Sequence, residues 1–286
     1  MKYLVLLIAI ITFTACQPKP IDIEVEQAPP KLVIYSQVIP NSVMLIYVSK
    51  SFGALDYSEN DKADTSRNAL LDRIMVRNAD VSISYNGITD ELKAIPEIPG
   101  LYASITIPQF INTEYKLSVI DPETALSIKS KSTMLKQIPF DEVSAKVGEG
   151  EDSINTIVSV KFTDPADEIN WYMINIYGNN KENDDPNNIF MKSTGNNVIA
   201  LLDDQGFNGE QFIGEQIMYQ WVSDTVFASI SNISQQYYDY LVLHKKGGSA
   251  INQIFAEPIN YPTNIEGGYG FFNTHYPDPR IIIVEK

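Results

Sequence analysis

One cysteine, two histidines and 36 acidic side chains are what this 286-residue chain offers for chemistry. The cysteine has the most specific setting. Lys2 gives a positive start, Tyr3 to Phe13 is an apolar run, Thr14 and Ala15 are small, and Cys16 follows. The run falls short of the roughly 20 residues that span a bilayer and has the length of a signal-peptide core. A small residue before a Cys at the end of such a run is the pattern lipoprotein processing uses. There the thiol is diacylated and the peptide is cut in front of it. Residues 1–15 are therefore expected to be a leader and Cys16 a lipid-attachment site, although Phe13 stands where a leucine is usual. Two or three acyl chains, at about 0.8 kcal/mol per buried CH₂, make such an anchor lasting.

The other reactive residues have weaker contexts. His244 and His275 are too few, with a single Cys, for a Cys/His zinc site. A Ser-His-Asp arrangement lacks any G-x-S-x-G elbow. His244 falls on the apolar side of a predicted helix, and His275 lies beside Tyr276 and Pro277, where packing is expected. With 36 acids some carboxylate pair is always close, so pairing in sequence decides nothing about glycoside hydrolysis. Asp203, Asp204, Asn208 and Glu210 offer oxygens to a hard cation, as does the run 181–188 (KENDDPNN). Neither follows the EF-hand spacing, and turn formation explains both. Gly267 to Gly270 (GGYG) lacks the Lys-Ser/Thr of a phosphate loop, and backbone approach in a bulged strand is the better account. Sixteen tyrosines, with Trp171 and Trp221, could build a sugar or peptide platform, but they are also good strand formers. No cofactor or metal is expected.

Charge narrows the partners. The formal charge is −15, and losing Lys2 with the leader takes it to −16. Such acidity argues against nucleic acid, which needs a basic footprint. With one cysteine no internal disulfide can form, so stability must come from burial.

The elements that would position these residues are mostly strands. Residues 16–30 are proline-rich and read as a tether. From 31 to 135, short alternating segments bounded by Pro and Gly predict an immunoglobulin-like β-sandwich. Val81, Ile83 and Tyr85 share one face there, and Asn86-Gly87 supplies a hairpin turn. Residues 57–77 read equally as a short helix or as a loop entering a strand. Residues 136–153 lose periodicity and are taken as a linker. A second antiparallel β domain, sandwich or barrel-like, is expected over 154–286. It carries one helix near 234–246, with Ser234 as N-cap and Gly247-Gly248 as its stop. No internal repeat is visible.

Several stretches together carry a resemblance: KLVIYSQV after the Cys16 leader, NADVSISYNG, KFTDPADEINWYMINIYG, LLDDQGFNGEQF and EPINYPTNIEGGYGFF. They resemble a family of Bacteroidota outer-membrane lipoproteins that carries only a domain-of-unknown-function label. The resemblance implies an accessory or ligand-binding role beside TonB-dependent outer-membrane transporters, and no catalytic residues. The resemblance thus adds a transporter protein to the partners expected from the residues, which are the membrane, through the acyl anchor, and an oligosaccharide or peptide ligand. Gln17, Pro18 and Lys19 lack the acids that often follow the Cys in surface-exported lipoproteins of this phylum, so both faces of the membrane stay open. The alternatives are an extracytoplasmic glycan or peptide hydrolase using carboxylates, and a structural adhesin-like module.

Overall fold

The computed structural model describes residues 29–39, 43–51, 73–179, 197–247 and 261–285. The expected leader, most of the tether, most of 57–77 and the run 181–188 lie outside them. The fold is mostly β, with antiparallel sheets and, among the described residues, one helix of more than a single turn.

The first sandwich uses β1 (Leu32–Ile39), β2 (Val43–Lys50), β3 (Asp80–Tyr85), β4 (Ile88–Ala94), β5 (Leu101–Ser104), β6 (Thr113–Ile120) and β7 (Ser127–Met134). Alternation dictates the layers. Leu32, Ile34, Ile46 and Val48 face inward from one layer and Val81, Ile83, Leu117 and Val119 from the other, in one buried cluster. Strand β4 belongs to both layers: Ile88 to Leu92 pair with β3, and Lys93 and Ala94 pair with β5. The β3–β4 turn is the predicted Asn86-Gly87, both residues at positive φ (46° and 79°) as a tight hairpin requires. Near the start of β6, the Tyr115 hydroxyl donates to the Pro108 carbonyl at 2.6 Å and accepts from the Phe110 N–H at 2.8 Å. That is the tyrosine corner of immunoglobulin-like sandwiches, which ties a strand to the loop before it.

The second sandwich uses β8 (Glu142–Val147), β9 (Thr156–Thr163), β10 (Trp171–Asn179), β11 (Asn197–Asp203), β12 (Gln211–Met218), β13 (Thr225–Ile233) and β15 (Asp278–Ile283). Its sheets run β8-β9-β12 and β11-β10-β13-β15. The first sandwich runs β1-β2-β5 and β4-β3-β6-β7, joined through β4, which is the same order when each sandwich's seven strands are counted from its own first and β14 is left out. Two copies of one topology thus follow each other without a repeat in the residues. Here the linker expectation is corrected. Residues 142–147 are the first strand of the second sandwich, with Ala145 buried and Val143 and Val147 packed on its core. Small Ala145, and charges at Glu142 and Lys146 on the other face, hide this alternation in the sequence.

Between β13 and β15 the chain leaves its own sandwich. It forms helix α1 (Gln235–Gly247) and then β14 (Tyr269–Phe271), which pairs in parallel with β1. Glu266 meanwhile bonds Lys129 of β7 in both directions (2.8 and 3.2 Å). Residues 266–271 therefore fill the gap between the two edges of the first sandwich. The second domain is thus not self-contained over 154–286, because part of it completes the first.

Candidate functional site

The seam between the sandwiches gathers the aromatic residues. Ser234 caps α1 as predicted, its Oγ accepting from the Tyr237 N–H at 3.3 Å. Tyr237 and Tyr240, three residues apart and so on one face, bury their rings against Phe271, Met173 and Ile233. The ring centroids of both tyrosines lie 5.2 Å from Phe271. Helix α1 thereby glues β14 of the first sandwich to the outer face of the β10–β13 sheet. Tyr237 also shares a hydrogen bond with Tyr35 of β1. Burial pushes the Tyr240 hydroxyl up to about 12 and Tyr237 well above its ordinary value, so both stay protonated donors.

The rim of this seam is half open. Tyr35 and Tyr269 are 44% and 47% exposed, and the Lys31 ammonium stands 4.9 Å over the Tyr269 ring. Tyr47 lies across from Tyr35, with centroids 6.5 Å apart. At the end of α1, His244 packs between Tyr240 (4.4 Å) and Tyr261 (4.3 Å). Burial lowers its pKa, which keeps the ring neutral at pH 7. Such a rim can stack on planar or apolar ligand surfaces and offer hydroxyl hydrogen bonds. Among its described residues no nucleophile is paired with a base.

A second cluster, missed in the sequence, lies buried where the β9–β10 and β11–β12 loops meet. Asp164 accepts from the Tyr172 hydroxyl and from the Gly209 N–H at 2.9 Å. Asp204 accepts from the Asn170 N–H at 2.7 Å, and Asn232 donates to the Asn170 side chain at 2.9 Å. Burial first, then the bond to Asp164, pushes the Tyr172 pKa up, so its proton stays in place. The cluster bolts two loops together. Its signal in the sequence was the Asp-Pro directly after an alternating strand, followed by an Asn-x-Tyr.

The remaining candidates are dispersed. Asp203 caps the Gln205 N–H, Asp204 is spent on Asn170, and Asn208 and Glu210 are exposed. Among the described residues, no group of three or more His, Cys, Asp or Glu is placed to hold a metal ion. His275 is buried with Nδ1 3.1 Å from the Asn273 amide, and burial drops its pKa to about 4. In GGYG, a Cβ on Gly268 or Gly270 would lie 2.5 or 1.9 Å from a β1 carbonyl oxygen. Those glycines exist for backbone approach. Trp171 packs beside α1, and Trp221 on the second core. Cys16 lies outside the described residues.

Over residues 18–276 the chain matches the family described as a domain of unknown function (DUF4249), and it belongs to that family. No curated protein matches it. Among solved structures it is similar to a segment of two fibronectin type-III domains from chicken tenascin. That likeness has 11% identity and a TM-score of 0.22, covering 71% of this chain and 90% of that one. The strand order and the tyrosine corner, rather than that likeness, define the sandwiches. Among the described residues no helix is long and apolar enough to cross a membrane.

Proposed function

We propose that this protein is a lipid-anchored outer-membrane lipoprotein, acylated at Cys16. It acts without catalysis, as the ligand-binding or accessory partner of a TonB-dependent transporter. The observation that carries the reading is the leader, a basic start and short apolar run ending Thr14-Ala15-Cys16. The first strand begins at Leu32, so 15 residues separate it from Cys16. Fully extended, they reach about 50 Å, enough to hold the sandwiches clear of lipid headgroups. Two sandwiches stapled by one excursion suit a rigid binding body, and the half-open tyrosine rim suits an oligosaccharide or peptide.

The test has two parts. Globomycin or Cys16→Ala should leave an unprocessed precursor of larger apparent mass and change its membrane fractionation. Unchanged processing sinks the anchor. Affinity capture of the full chain from outer membranes should recover a β-barrel transporter. Repeated recovery of none removes the partner.

A further inference from the structure

The two outer faces of the second sandwich differ in charge. The face of β8-β9-β12 is a solvated surface. Lys161 pairs with Glu142 at 2.6 Å, and Ser159 bonds Glu215 at 3.3 Å. The face of β11-β10-β13-β15 carries apolar side chains instead. Helix α1 covers one half of it, over Trp171, Met173, Leu201 and Ile233. Among the described residues, nothing covers the other half. Strand register sets Tyr177 beside Phe227 and Phe227 beside Ile281, with Ile199 beside Asn175 and Ile283 beside Thr225. Phe227, Ile281 and Ile283 are 46%, 68% and 82% exposed. Between them, strand alternation sets only Asn, Ser, Thr and Pro on this half-face, with no charged residue. Lys245 of α1, bonded to the Ile199 carbonyl at 3.0 Å, marks its border.

We propose that this open half-face is an interface that takes a second copy of the chain, face to face about a two-fold axis. Charge makes the argument first. A chain of net charge −15 repels itself, and a charge-free face lets two copies meet without opposing like charges. Shape agrees. Sheets pack at about 10 Å, close to the distance at which a helix stands on a sheet. The α1 helix of each copy is thus a shoulder against which the partner sheet abuts. The open area is about 19 Å across four strands and about 17 Å along them, roughly 300 Å². That is the size of a functional patch but less than the roughly 800 Å² per partner of a standard interface. The dimer is therefore of the weak, transient kind. Anchoring on one surface would raise the effective concentration, but the interface itself does not depend on the anchor.

Sedimentation equilibrium of the full chain in a mild non-ionic detergent tests this. The wild type should pass from the mass of one chain toward twice that protein mass as concentration rises through the micromolar range. Phe227→Lys and Ile281→Lys should each weaken association at least tenfold while leaving the melting temperature in place. Ile213→Lys, at a residue 65% exposed on the charged face, should leave association unchanged. A wild type that stays monomeric to about 200 µM overturns the proposal. So does association that Phe227→Lys and Ile281→Lys leave intact. If a different protein binds this face in place of the second copy, the assignment fails as well.

Discussion

Ser36 and Asn273 hold each other by two hydrogen bonds across 237 residues of sequence. The Ser36 hydroxyl donates to the Asn273 carbonyl at 3.0 Å and accepts from the Asn273 N–H at 2.7 Å. Both residues are buried, so each backbone group relies on this hydroxyl in place of water. One side chain in the first strand therefore anchors the return of the excursion that begins in the second sandwich.

Ser36→Ala should destabilise the fold by about 1–3 kcal/mol, the cost of leaving buried polar groups unpaired. Urea unfolding with an unchanged slope checks this. A loss below about 0.5 kcal/mol would mean that the contact is replaced easily.

Gly270 sits at φ +92°, and a methyl group there would lie 1.9 Å from the Ile34 carbonyl oxygen. Gly270→Ala should cost at least about 2 kcal/mol and expose the β1 edge. Hydrogen exchange at the β1 amides should speed up. Gly206→Ala, which meets nothing within 4 Å, is the matched control and should change stability little.

Tyr172→Phe removes the hydroxyl that Asp164 accepts deep in the second sandwich. The expected loss is about 1–3 kcal/mol. In a double-mutant cycle with Asp164→Ala the two changes should be non-additive, since each removes the same contact. Simple additivity of the two losses would count against the bolt.

His275 gives the fold a pH dependence of definite sign. Burial holds its pKa near 4, below the ordinary value of 6.5, so the native state keeps it neutral while the unfolded chain binds a proton. Its contribution is complete above pH 6.5 and is lost as pH falls from 6.5 to 4. The loss amounts to about 3 kcal/mol. His275→Asn should flatten the stability profile across that window. A slope unchanged by the substitution would place the titration elsewhere.

Local signals were legible in the sequence. Asn86-Gly87, the Ser234 cap and the GGYG approach each depend on residue chemistry within a few positions. Relationships between distant strands were not. The shared strand order rests on pairing, which different residues satisfy equally, so no repeat shows. β8 was masked by Ala145 and by the charges at Glu142 and Lys146. The excursion through α1 and β14 is encoded by contacts such as Ser36–Asn273, whose partners carry no local mark. Tyr115 looks like one strand tyrosine among many until its hydroxyl meets Pro108.

In the proposed reading Cys16 carries the lipid that holds these sandwiches at the outer membrane. Intact-mass and N-terminal peptide analysis of the protein from purified membranes tests it directly. The expected result is a chain beginning at Cys16 with the added mass of two or three acyl chains. A chain that retains Met1, or one in which Cys16 is present and unmodified, would contradict it.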